Sequence, residues 1–72
     1  MTLKDAKLGV DYVVETIDTG DEELEAFLFS LGCYSGETIT VVTRRRSTCV
    51  VSIKDSRYSI DTALAEAIIV KE

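Results

Sequence analysis

The sequence predicts a mainly β protein, a small and strongly bent barrel of about five short strands with one α-helix inserted after the first strand. Three observations carry this. The hydrophobic period changes from helical to two within the single stretch Leu24 to Val42. Short runs of β-branched residues recur along the rest of the chain, separated by Gly, Asp and Ser. At 72 residues the chain makes one small domain, spanning 1–72, which suits a bent barrel better than a sandwich.

Residues 1–9 form a lead-in that Leu3 and Leu8 could anchor, and Gly9 turns the chain into the first strand, Val10 to Ile17. Tyr12 and Val14 share one face, but Val13 and Ile17 break the alternation. Either a bulge or burial on both faces accounts for that. Asp18-Thr19-Gly20-Asp21 is a break before a helix. Thr19 with Glu22 fits a capping box, and Asp21 is an equally good N-cap. Glu22, Glu23 and Glu25 fill the first turn, where each negative charge gains about 0.3–1 kcal/mol from the helix dipole at low salt.

Leu24, Phe27, Leu28 and Leu31 fall at i, i+3, i+4 and i+7, the spacing of a core-facing stripe. Gly32 follows the last of them, where a helix commonly ends in a left-handed residue. Ser35-Gly36 then reads as the middle of a tight turn with Gly36 at positive φ. Strand two runs from Glu37 to about Thr43, with Ile39 and Val41 inward. Arg44-Arg45-Arg46-Ser47 link it to strand three, Thr48 to Lys54, with Cys49, Val51 and Ile53 inward. Asp55-Ser56 make a second turn into Arg57 to Ile60, with Tyr58 and Ile60 inward. Asp61 caps a short helical turn, Thr62 to Ala65, and Ala67 to Val70 form the last strand.

Composition narrows the function classes. Hydrophobic residues make up 46%, enough for a core and too many for a disordered chain. No apolar run reaches the roughly 18 residues of a membrane span, and the lysines near the start precede no apolar signal core. A cytosolic protein is expected, without insertion into a membrane. The net charge of −5 is uneven: residues 1–42 carry −7, residues 43–57 carry +4 and residues 58–72 carry −2. One basic island on an acidic chain is not the footprint of a nucleic-acid binder. Cys33 and Cys49 are the two cysteines, not in a C-x-x-C pair, and read as small buried hydrophobes.

The ordered motifs resemble one known family. Leu31-Gly32-x-x-x-Gly36-x-x-Ile39-x-Val41 is similar to the Leu-Gly-Leu-x-Pro-Gly-x-x-Val-x-Val signature of FeoA-type proteins. Gly9 matches the glycine before their first strand, and Leu24 and Leu28 match the helix before the signature. Arg57-Tyr58-Ser59-Ile60 matches their Gly/Arg-Tyr-x-Leu strand, and Ala65, Ile68 and Val70 match the closing Ala-x-x-Ile-x-Val. The resemblance implies an SH3-like β-barrel. It implies a cytosolic accessory protein of ferrous iron uptake, acting with the membrane transporter FeoB and its GTPase domain, in a family concerned with transition metal ions. The same fold also forms the C-terminal domain of iron- and manganese-dependent repressors, so a free-standing regulatory domain of that kind is the alternative. The chain departs from the pattern where Ser35 replaces the usual proline, where the Arg44–Thr48 hairpin is short and lacks Gly-Pro, and in its acidic helix.

No residue pattern announces catalysis. With no histidine, triads and histidine-based zinc hydrolase sites are excluded, and no G-x-x-x-x-G-K phosphate loop is present. No enzyme activity, cofactor or tight metal site is expected. A module without catalytic groups acts by contact, and self-association is compatible with that. Phe29 lies about 140° around the helix from Leu24, opposite the core stripe, so it is either covered by another part of the chain or meets a partner. Phe29 and Tyr34 are the candidate apolar anchor, because aromatic residues are enriched at interfaces. Arg44, Arg45 and Arg46 are the candidates for orienting an acidic partner. Leu28, Leu31, Gly32 and Gly36 are the structural motif that holds the helix-to-strand junction.

Overall fold

In the computed structural model, which describes residues 1–71, the chain begins with a 3-10 turn at Leu3–Asp5 and then alternates strands with two helices. The elements are β1 (Asp11–Ile17), α1 (Glu22–Ser30), β2 (Thr38–Arg44), β3 (Thr48–Ile53), β4 (Ser56–Asp61), α2 (Thr62–Ala67) and β5 (Ile68–Lys71). The strands form one antiparallel sheet in the order β4-β3-β2-β1-β5. This is the mainly β, SH3-like fold expected. The sheet curls without closing: its edges, β4 and β5, share no ladder, and α2 follows β4 directly to bridge them. The Thr62 amide donates to the Ser47 carbonyl at 3.0 Å and the Asp18 amide to the Ala67 carbonyl at 2.7 Å, pinning both ends of α2.

The period-two pattern is met by the burial. Ile39 and Val41 of β2 and Cys49, Val51 and Ile53 of β3 all point into the core. Leu3, Val14, Leu28, Ile68 and Val70 complete its centre, and the lead-in contributes Ala6. The broken alternation of β1 is a bulge, since its pairing with β5 shifts register between Val14 and Thr16. A second shift lies in β2 between Val41 and Thr43. Such bulges add the local twist a small sheet needs to curl.

Four expectations need correction. Leu24 and Phe27 are 37% and 47% exposed, not core. Leu28 is the one fully buried residue of α1, while Leu31 packs half-buried at the core's edge. The helix docks by its last turn, so a stripe running its whole length is only partly covered. Leu8, offered as an anchor of the lead-in, is 52% exposed, and Leu3 does that work. Arg44 is not at the hairpin tip but in β2, paired with Cys49. The second turn is Lys54-Asp55, not Asp55-Ser56, and both residues have positive φ, +50° and +67°. That conformation at two central residues matches the twist of the flanking strands.

Candidate functional site

The junction after α1 sets the geometry of the surface. Asp21 is the N-cap, its carboxylate accepting from the Glu23 amide at 2.9 Å and the Leu24 amide at 3.4 Å. Thr19 instead accepts from the Asp21 amide at 3.2 Å. At the other end Gly32 has φ +92°, its amide donates to the Phe29 carbonyl at 2.9 Å, and the Cys33 amide donates to the Leu28 carbonyl at 2.9 Å. This pair of bonds is a complete Schellman cap, and the buried Cys33 side chain beside Leu28 supplies the apolar contact that accompanies it. The Glu37 amide then donates to the Tyr34 carbonyl at 3.0 Å across Ser35-Gly36, with Gly36 at φ +93°. Positive φ at the third turn position is the type II requirement, and it leaves Ser35 at the second, a position that proline also suits.

These two turns bring Tyr34 back over the helix. Its ring lies 5.0 Å from that of Phe29, tilted by 36°. Phe29 remains 66% exposed, so Tyr34 supports it without covering it. Lys54, thrown out by the β3–β4 turn, donates to the Tyr34 hydroxyl and places its ammonium 4.8 Å from the ring centre. Glu37 stands 3.8 Å from the same ammonium. The hydrogen bond to Tyr34 and the charge of Glu37 hold the Lys54 pKa above its ordinary value. The Tyr34 ring is thus held by Phe29 at its side and by Lys54 at its hydroxyl end, an anchored aromatic platform on an exposed surface. Sequence reasoning missed Lys54 and Glu37, because a two-residue turn without glycine carries no signal that its lysine folds back onto a distant tyrosine.

The arginines are elsewhere and unlike one another. Arg44 donates to the Ala6 carbonyl at 2.6 Å, tying the lead-in to β2. Arg45 and Arg46 are exposed at the hairpin tip and make no ion pair among the described residues. The tip precedes β3 and Lys54 follows it, so the aromatic platform and the basic tip stand at opposite ends of a six-residue strand, roughly 20 Å apart. Burial pushes the Cys33 thiol up to about 11 and raises that of Cys49 as well. Among the described residues no cluster of three or more metal-ligating side chains occurs, and no helix is long and apolar enough to cross a membrane.

The FeoA domain family matches the chain over residues 1–72. The chain belongs to the FeoA family. A search of curated proteins finds no match. Among solved structures, one described as the iron uptake regulatory protein FeoA is 24% identical, with a TM-score of 0.87 over 99% of this chain and 95% of its own. The zinc-complexed FeoA of Stenotrophomonas maltophilia, described as a prokaryotic SH3 domain protein, is 22% identical with the same TM-score, over 99% of this chain and 89% of its own. A manganese-dependent transcriptional repressor is 22% identical with a TM-score of 0.88, over 97% of this chain but 40% of its own. At these identities the likeness is one of fold. The FeoA family ties the chain to the accessory side of ferrous iron transport.

Proposed function

We propose that this FeoA-family chain is a cytosolic, non-catalytic accessory protein that docks on the cytosolic GTPase domain of an FeoB-like ferrous iron transporter. The observation that carries this reading is the family match over residues 1–72. The rigid Phe29–Tyr34 pair supports it, since an exposed, preorganised aromatic pair loses little freedom on binding. Phe29 and Tyr34 are the anchor. Arg45 and Arg46 orient the partner from the far end of β3, and Arg44 contributes positive charge while it holds the lead-in. The test is a pull-down with the tagged protein from cells that express the transporter. Capture of the membrane GTPase by the wild-type chain, with less captured by Phe29→Ala, supports the docking, and its absence from the wild-type pull-down sinks it.

A second reading draws on the manganese-dependent repressor whose structure covers 97% of this chain. In it the chain is a free-standing regulatory domain that contacts a transcriptional repressor. The same pull-down separates the two by which protein is captured.

A further inference from the structure

We infer that the groove between the start of α1 and α2 receives a partner segment in which an arginine or lysine stands beside an aliphatic residue. It rests on the reading that the chain acts by contact but not on the identity of the transporter, and it concerns a face other than Phe29 and Tyr34. The groove is a cavity of about 360 Å³. Leu24, Leu64 and Ala67 give it an apolar floor, and Asp18, Asp61 and Glu66 stand around it. Among the described residues no basic side chain lines it.

The sign of the rim selects the occupant. Asp61 spends its carboxylate on the α2 N-cap, accepting from the Leu64 amide at 2.7 Å, yet keeps its charge. Glu66 meets Lys4 at 2.9 Å, an exposed pair that an incoming guanidinium can replace. Asp18 has no ion-pair partner among the described residues. Glu22, Glu23 and Glu25 extend the negative field along α1, which carries no basic residue. Phe27, one helical turn beyond Leu24 and half-exposed, lengthens the apolar floor in the same direction. An acidic or uncharged segment would face this field without compensation, whereas a cation on an aliphatic stem satisfies floor and rim together.

The experiment titrates the ¹⁵N-labelled full chain with a synthetic amphipathic peptide of arginine and leucine, and with the same peptide carrying glutamate for arginine. Amide shifts are expected at Asp18, Leu24, Leu64 and Ala67, with the glutamate peptide silent. Asp18→Asn together with Glu66→Gln should weaken binding roughly fivefold at low salt and flatten its salt dependence. Ala63→Lys, at an exposed position on α2, places a cation at the groove and should abolish binding with the melting curve unchanged. The inference is overturned by equal binding of the two peptides, by shifts centred on Phe29 and Tyr34, or by full binding to Ala63→Lys. Concentration-dependent shifts at the groove without peptide would overturn it too, by making the occupant the Arg45–Arg46 tip of a second copy.

Discussion

Arg44 donates a hydrogen bond of 2.6 Å to the carbonyl of Ala6, 38 residues earlier in the chain. A run of three arginines is thereby divided by the bulge and the hairpin into one structural residue and two free ones. Arg44→Met keeps the aliphatic stem and removes the donor, leaving the partly buried Ala6 carbonyl unpaired. It should cost about 1 kcal/mol, the ordinary worth of such a bond. The same change at Arg45 or Arg46 should fall within about 0.5 kcal/mol of the parent. Urea melts of the three variants make the comparison, and equal midpoints would show that the Arg44 bond adds nothing to the hold on the lead-in.

Gly32 and Gly36 have nearly equal φ, +92° and +93°, but different surroundings. A Cβ on Gly36 meets nothing within 4 Å, while one on Gly32 meets Ile53 and Lys54 side-chain carbons, each at 3.3 Å. Gly36→Ala should therefore show backbone strain alone, about 1–2 kcal/mol. Gly32→Ala adds the cost of moving the Ile53 and Lys54 side chains aside by a few tenths of an ångström and should be the less stable of the two. Thermal melts that rank them the other way would refute this account of the Schellman cap.

Leu28→Ala should cost about 2–5 kcal/mol, which in a domain this small leaves little folded protein near 37 °C. Leu24→Ala and Phe27→Ala should each cost less than about 1 kcal/mol, since both side chains are already partly exposed. The contrast is read in denaturant melts, and a Phe27→Ala loss as large as that of Leu28→Ala would place α1 flat on the sheet.

Those two residues mark where sequence reading reaches its limit. Ile39, Val41, Val51 and Ile53 could be placed because a strand in a small sheet has one inside, and period two leaves no choice of face. A nine-residue helix has no such constraint. Its stripe of Leu24, Phe27, Leu28 and Leu31 is compatible with any tilt, and the tilt is set by the Cys33–Leu28 cap and by the room α2 leaves. The helix stop at Gly32 and the turn at Gly36 were legible because each needs a conformation only glycine adopts cheaply. The Phe29–Tyr34 contact was not, since it depends on two successive turns and on Lys54 arriving from another hairpin. Arg44 escaped for a similar reason: its partner is a backbone carbonyl, which no side-chain pattern announces.

The buried Cys33 makes stability sensitive to alkali. Burial raises its folded-state pKa from 9.0 to about 11, so the protonated thiol favours folding fully below pH 9. As pH rises from 9 toward 11 the unfolded chain loses this proton while the folded one retains it. Stability should fall by at most about 1.4 kcal/mol per pH unit in that window. Cys33→Ala lowers stability at neutral pH through the lost packing but should make the alkaline slope shallower, leaving the share of Cys49. Melting temperatures from pH 8 to pH 10.5 test it, together with slow reaction of the native thiol with iodoacetamide. An alkaline slope unchanged in Cys33→Ala would assign the effect to other groups.

The aromatic platform gives the partner-contact proposal its sharpest form. Phe29 contributes nothing to the core, so Phe29→Ala should leave the melting curve in place and still weaken partner binding by about 1–2 kcal/mol or more if it is a hot spot. Lys54→Met tests whether rigidity matters. It removes the ammonium from the Tyr34 hydroxyl and ring without touching either aromatic. If preorganisation is part of the affinity, Lys54→Met should weaken binding by less than Phe29→Ala, and mainly through faster dissociation. Arg45→Gln with Arg46→Gln should instead slow association and flatten its dependence on salt, because the tip lies roughly 20 Å away and acts through its field. Surface plasmon resonance against the transporter's cytosolic domain at two ionic strengths separates the three effects. Native-like melting with unchanged kinetics in all of the variants would move the interface to another face of the molecule.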